Sequence, residues 1–237
     1  MRYDRPVSTD DFQRARSPEA KRVREAAILD AARRLGEQHG VRQVTLTDIA
    51  AAVGMHKSAM LRYFETREEI FLRLTAEGWR EWAPAVCASL RALTRPVADA
   101  SAPADADAVA AVFASTLAAR ALFCDLLAQA PMNLERNVSV ARVREFKLTT
   151  RGALAEIVAA VRAALPGLPE GSVVDLVAAA TALAGTFWQI ATPSPEIAAL
   201  YRADPRLAHA IVDVEPRLAR ILAAMLRGLQ PSGAGGQ

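Results

Sequence analysis

The side chains best placed to do chemistry together are Thr45, Thr47, His56, Lys57, Ser58, Arg62 and Tyr63, all within residues 45–63. Each can donate a hydrogen bond and none is a carboxylate. Donors with no carboxylate among them to pair with His56 point to recognition of anions and base edges, not to bond breaking. A guanidinium can meet O6 and N7 of guanine with two hydrogen bonds, while hydroxyl and ammonium groups suit phosphate oxygens. Elsewhere the sequence offers no competing chemistry. His39, His56 and His209 are its only histidines, and none stands at metal-ligand spacing from Cys, Asp or Glu. There is no G-x-S-x-G elbow and no glycine-rich loop after a strand. No enzyme activity, metal or cofactor is expected.

Two short helices must position these donors. Thr45 and Asp48 have the spacing of a capping box. A helix starting there places Leu46, Ile49, Ala50 and Val53 on one face. Gly54 allows a turn with positive φ. A second helix, residues 57–64, turns Ala59, Met60 and Phe64 inward and leaves His56, Lys57, Ser58, Leu61, Arg62 and Tyr63 outside. Helix, glycine turn and donor-rich helix together are the pattern of a helix-turn-helix DNA reader.

The stretch VTLTDIAAAVGMHKSAMLRYFETREEIF resembles the N-terminal signature of the tetracycline-repressor (TetR) family of bacterial transcription regulators. Thr45, Asp48-Ile49-Ala50, Val53-Gly54, Lys57, Tyr63-Phe64 and Arg67-Glu68-Glu69 carry the likeness. It covers about fifty residues. Leu61 departs from it where the family often has a phosphate-contacting tyrosine, and His56 where a small hydroxyl residue is usual. The resemblance implies a regulator with a DNA-binding N-terminal part, a helical part that binds a small-molecule effector, and a homodimeric assembly.

Composition agrees with an all-α chain. It is 52% hydrophobic but only 5% aromatic, so the core must be mostly aliphatic and small. The net charge of +3 is unevenly spread: residues 12–64 hold ten Lys/Arg against five Asp/Glu, and residues 81–237 hold fourteen of each. The surplus sits where phosphates would be met. Cys87 and Cys124 have no CxxC spacing and read as buried thiols. No uninterrupted apolar run long enough to span a bilayer and no leader peptide is evident, so a cytoplasmic protein with no membrane contact is expected.

Four parts follow: an arm, 1–16; the helix-turn-helix domain, 17–65; a helical ligand-binding and dimerisation domain, 66–229; and a tail, 230–237. Ser17-Pro18 signals the start of a first helix, with Val23, Ala27, Ile28, Ala31 and Leu35 on its apolar face. Lys21 and Arg22, with Arg14, Arg16 and Arg24, lie within reach of DNA phosphates. Thr66 and Glu69 open a long helix that Pro84 should kink or divide. Residues 94–107 read as a loop whose Asp99, Asp105 and Asp107 are solvated. Further helices are expected at 108–127, 139–165, 172–191 and 216–227, and a short one after Asp204-Pro205.

The aromatics Trp82, Phe113, Phe123, Phe146, Phe187 and Trp188 are candidates to line an effector cavity, with Arg120 and Thr150 to orient the ligand. The dimer is expected to use Leu176, Ala180, Leu183 and Phe187 of one helix and Leu218, Ile221, Leu222 and Met225 of another. In the reader, Lys57, Tyr63, Thr45 and Thr47 should hold phosphates, and His56, Ser58 and Arg62 should touch bases. The expected function is a ligand-responsive repressor on a palindromic duplex operator. The alternatives are an activator, or a helical small-molecule-binding protein or enzyme whose helix-turn-helix is vestigial.

Overall fold

The computed structural model describes residues 9–93 and 105–230, with side chains from residue 18 onward. Among these residues there is no strand. The α-helices are α1 (Thr9–His39), α2 (Leu46–Ala52), α3 (Lys57–Met60), α4 (Arg67–Leu93), α5 (Ala106–Ala118), α6 (Ala121–Gln129), α7 (Val140–Ala164), α8 (Glu170–Ala191), α9 (Pro195–Ala203) and α10 (Val214–Leu229).

The N-terminal unit wraps α1, α2 and α3 around Ile28, Ala31, Ile49, Met60 and Phe64, all buried. This small core runs on into Ile70 and Phe71 of α4, so the two parts of the chain share one apolar body. Beyond it, α4 packs along α7 and beside α5, α10 lies on α5 and α8, and α6 lies on α8. Each fully buried Phe or Leu contributes about 1.5–3 kcal/mol by leaving water. Two glycines allow helices to touch. A Cβ on Gly78 of α4 would lie 2.2 Å from the Phe123 ring, and one on Gly185 of α8 would lie 2.8 Å from the Ala128 backbone nitrogen of α6.

Several local expectations are revised. α1 begins at Thr9, ahead of Ser17, with Pro18 inside it. Residues 1–8 of the expected arm lie outside the described residues, as do the side chains of Arg14 and Arg16 and residues 231–237. Val23 is 63% exposed and Ala27 is exposed, because the first turns of α1 run clear of the bundle. Pro84 does not divide α4.

The helix expected at 108–127 is two, α5 and α6, meeting at 90°. The break falls at Ala119 and Arg120, with no glycine or proline to mark it. Side chains reinforce the break: Arg120 Nη1 donates to Thr116 O at 2.6 Å, and Leu117 O accepts from Arg120 N at 2.9 Å and from the Cys124 thiol at 3.3 Å. α9 was not anticipated. After it, the turn at Pro205–Ala210 is 3-10, with the Asp204 carboxylate accepting from Arg206 N at 3.0 Å.

Asp99 lies outside the described residues, but its neighbours have structural partners. Asp105 caps α5 by accepting from Ala108 N at 2.6 Å, and Asp107 pairs with Arg227 of α10 at 2.6 Å. Both cysteines are free and buried; burial pushes the Cys124 thiol up to about 12 and raises Cys87 as well.

Candidate nucleic-acid interface and interdomain clefts

The turn that carries the donors is built from local bonds. Thr45 Oγ1 accepts from Asp48 N at 3.2 Å, and the Asp48 carboxylate accepts from Thr45 N at 2.8 Å. The Thr45 hydroxyl and then the Thr45 N–H, both donating to the carboxylate, hold the Asp48 carboxyl below the usual carboxylate range. α2 then closes with Met55 N donating to Ala50 O at 2.8 Å and Gly54 N to Ala51 O at 3.1 Å, with Gly54 at φ +65°. The second helix is shorter than expected. α3 ends at Met60, and the chain continues to Phe64 with Tyr63 N donating to Met60 O at 2.9 Å. Burial of Met60 and Phe64 fixes which face points out.

On that outer face His56, Lys57, Ser58 and Arg62 are exposed, Leu61 is 56% exposed, and Tyr63 is half-buried. His56 Nδ1 lies 2.9 Å from Ser58 Oγ. Among the described residues Lys57 and Arg62 have no ion-pair partner, so both charges stand in solvent. Thr45 and Thr47 are exposed at the start of α2, and Lys21 and Arg22 on α1. Thr47 has its hydroxyl free. The Thr45 hydroxyl instead donates to Asp48 Oδ2 at 2.7 Å, so any phosphate contact from it competes with the cap.

The helical domain grips this unit at several places. The Arg67 guanidinium donates to the carbonyls of Val41 and Val44, lies over the Phe71 ring at 4.6 Å and pairs with Glu68 at 3.0 Å. Glu65, immediately after the reader, accepts from Ser139 N and Oγ at the start of α7, at 3.2 and 3.1 Å. Glu69 is buried 2.7 Å from Arg142 Nε of α7 and accepts from Glu65 N at 2.6 Å. Its N–H takes the Thr66 hydroxyl as cap at 3.1 Å.

A further grip was missed by sequence reasoning. Asp125 of α6 is buried, with Oδ2 accepting from Val41 N at 2.7 Å and Oδ1 from Gln189 Nε2 of α8 at 2.8 Å. It joins the turn before α2 to two helices of the larger domain. A lone acid in the apolar run ALFCDLLAQ was the signal that could have found it.

The candidate cavity residues do not converge. Trp82, Phe113 and Phe123 come together, but against one another and Trp79, at centroid distances of 5.4–6.1 Å. Trp82 Nε1 donates to Thr116 Oγ1 at 3.0 Å, which satisfies the buried indole. Arg120 and Phe123 line a cleft of about 340 Å3 between α1, α4 and α6. Trp188 lines another, of about 540 Å3, with His39, Arg42 and Asp125. Phe146 lines a third, of about 260 Å3, between α4 and α7. Phe187 lies under Arg217 of α10 at 5.8 Å, and Thr150 donates to Lys147 O at 3.1 Å. Spacing placed these rings on inward faces, but the Trp82–Phe113–Phe123 cluster, Phe146, Phe187 and Trp188 fill different helix seams.

Of the residues expected at a dimer contact, Leu176, Ala180, Leu218 and Leu222 are fully buried within one subunit. Their side chains serve the subunit's own core, because α10 sits on α5 and α8. Phe187 is also buried, whereas Leu183, Ile221 and Met225 are only partly so.

The bacterial regulatory proteins, tetR family, profile matches residues 28–74, and the tetracyclin repressor-like C-terminal domain matches residues 76–233. Among curated protein sequences none matches significantly. Solved structures share the fold. A TetR-family repressor, FadR of Thermus thermophilus, is 19% identical at TM-score 0.54, over 90% of this chain and 98% of that one. The fatty acid degradation regulator FadR of Bacillus halodurans is 13% identical at TM-score 0.51, over 90% and 97%. A tetR-family regulatory protein of Rhodococcus RHA1 is 18% identical at TM-score 0.51, over 87% and 96%.

Proposed function

The chain belongs to the tetracyclin repressor-like (TetR) family of bacterial DNA-binding regulators, and we propose that it is an effector-responsive repressor acting as a homodimer on a palindromic operator. The observation that carries this reading is the reader itself. Lys57 and Arg62 are exposed and unpaired beside His56 and Ser58, on a face fixed by buried Met60 and Phe64. Lys57, Tyr63 and Thr47 would hold phosphates, with Lys21 and Arg22 on the flanking backbone. Arg62, His56 and Ser58 would read base edges. Leu61 supports an apolar contact, such as a thymine methyl, in place of a hydroxyl on phosphate.

A second copy would use what one subunit leaves open. α8 is apolar enough to cross a membrane by length and composition, yet only 39% of its most apolar 18-residue window is buried. Its exposed Ala178, Ala182 and Ile190, with half-buried Leu183 and with Ile221 and Met225 of α10, form a face suited to self-association. Two-fold symmetry would then set the readers about 34–36 Å apart, one turn of duplex, or a multiple of it. The reading places the protein in the cytoplasm.

Induction follows from differential affinity. A small molecule bound more tightly when the readers are mis-spaced draws the dimer off DNA. α4, continuous with the reader, would carry the change. The Thermus FadR was crystallised with lauroyl-CoA, which supports a small-molecule effector of some kind for this chain too. The test is a mobility shift on the DNA flanking the protein's own coding region. Specific, salt-sensitive retardation is expected; absence of binding to any duplex would favour a ligand-binding protein with a vestigial reader.

A further inference from the structure

The cleft of about 260 Å3 is walled on one side by α4 and on the other by Arg142, Phe146 and Thr149 of α7, and Leu29 of α1 closes its end. Leu72, Ala76 and Phe146, all buried, give it an apolar floor. It falls just below the ~300–1,000 Å3 of pockets for drug-sized ligands, so its occupant must be small.

Its charges are unevenly matched. Each carboxylate has an arginine: Glu77 pairs with Arg33 at 2.6 Å, Glu145 with Arg142 at 3.0 Å, and Glu69 with Arg142 at 2.7 Å, although the buried Glu69 Oε1 makes no hydrogen bond. One of the cations is not so paired. Arg80 has no carboxylate within ion-pair range among the described residues, and its Nη2 donates only to the Thr149 hydroxyl, at 3.1 Å. Arg73 lies 3.6 Å from Glu25 and 3.8 Å from Glu69, and its buried Nε makes no hydrogen bond. Residues 73 and 80 are two turns apart on one face of α4. A guanidinium with no carboxylate of its own, that of Arg80, above an apolar floor fits an anion with a hydrocarbon body. The buried Glu69 nearby makes a multiply charged anion costly.

We propose that this cleft binds a small organic monocarboxylate. The carboxylate accepts from Arg80 and Thr149, and the hydrocarbon lies on Leu72, Ala76 and Phe146. A guanidinium meets a carboxylate with two parallel hydrogen bonds, which sets the ligand's orientation. The ligand would join α7 to α4 and α1 beside the reader. Its regulatory meaning rests on the effector-responsive reading above; its binding does not.

Isothermal titration calorimetry of the full chain with sodium octanoate tests the site, with 1-octanol and acetate as probes of tail and head alone. Octanoate is expected to bind once per chain, with octanol and acetate each at least tenfold weaker. Arg80→Gln and Thr149→Val should each weaken octanoate severalfold or more, and exposed Arg80 can be replaced without loss of folding, checked by an unchanged melting curve. Octanoate that gives no heat, or binds Arg80→Gln or octanol binds wild type as well as octanoate binds wild type, overturns the site. The DNA reading fails separately, by loss of duplex binding in the absence of any ligand.

Discussion

Removing the Asp125 carboxylate should loosen the reader without touching it. Asp125→Ala takes away the acceptor 2.7 Å from Val41 N, and Val41 is buried, so water can reach that N–H only through the cleft that Asp125 lines. A hydrogen bond to a charged group contributes about 1.5–3 kcal/mol, and a buried donor left unpaired costs about 1–3 kcal/mol. These describe one loss from two sides, so they do not add in full. The second bond, to the exposed Gln189, is recovered by solvent and adds little. We expect a destabilisation of about 2–4 kcal/mol. At about 2–4 °C per kcal/mol for a chain of this size, the melting temperature should fall by about 4–16 °C. Asp125→Asn keeps an acceptor oxygen facing Val41 and should cost about 1 kcal/mol, the worth of a neutral hydrogen bond. Urea unfolding of both variants gives the free energies, and fluorescence anisotropy with the operator should show weaker binding for Asp125→Ala. Wild-type stability of Asp125→Ala, or equal damage from Asn and Ala, would refute the reasoning.

Gly78→Ala should cost about 1–3 kcal/mol in urea unfolding, because its Cβ would lie 2.2 Å from the Phe123 ring and force the aromatic cluster to shift. Arg62→Ala should relax sequence preference and cost about 1–3 kcal/mol at one base position, while Lys57→Ala should weaken all duplexes alike and lower the salt slope by about one. Competition binding at several salt concentrations separates the two. The Asp48 carboxyl is held low in the folded chain, so its stabilisation is present above the ordinary carboxylate value and lost as pH falls through the depressed one. Amide exchange at the start of α2 should rise across that acid window, and Asp48→Asn should remove the dependence.

The reader was legible because its determinants are local. Thr45 and Asp48 cap within one turn, Gly54 turns the chain, and Met60 and Phe64 orient the helix, all within residues 45–64. The α5–α6 break was not, because Arg120 and Cys124 stabilise it without any turn residue. The stripe through Leu218 and Leu222 marked a buried face correctly but not what covers it: helices of the same subunit. The aromatics were similarly ambiguous. Trp82 meets Phe113 while Phe146 and Trp188 face separate clefts, and spacing alone cannot choose among seams. Asp125 joins residues 84 and 64 positions away, a separation at which sequence pattern says nothing.

Hydroxyl-radical footprinting of the intact protein on the duplex upstream of its coding region tests the central claim most directly. Two equivalent protected half-sites, their centres one helical turn or a multiple apart and both lost in a variant lacking Lys57 and Arg62, are the predicted result. A single protected patch, or protection unchanged without those side chains, would contradict it.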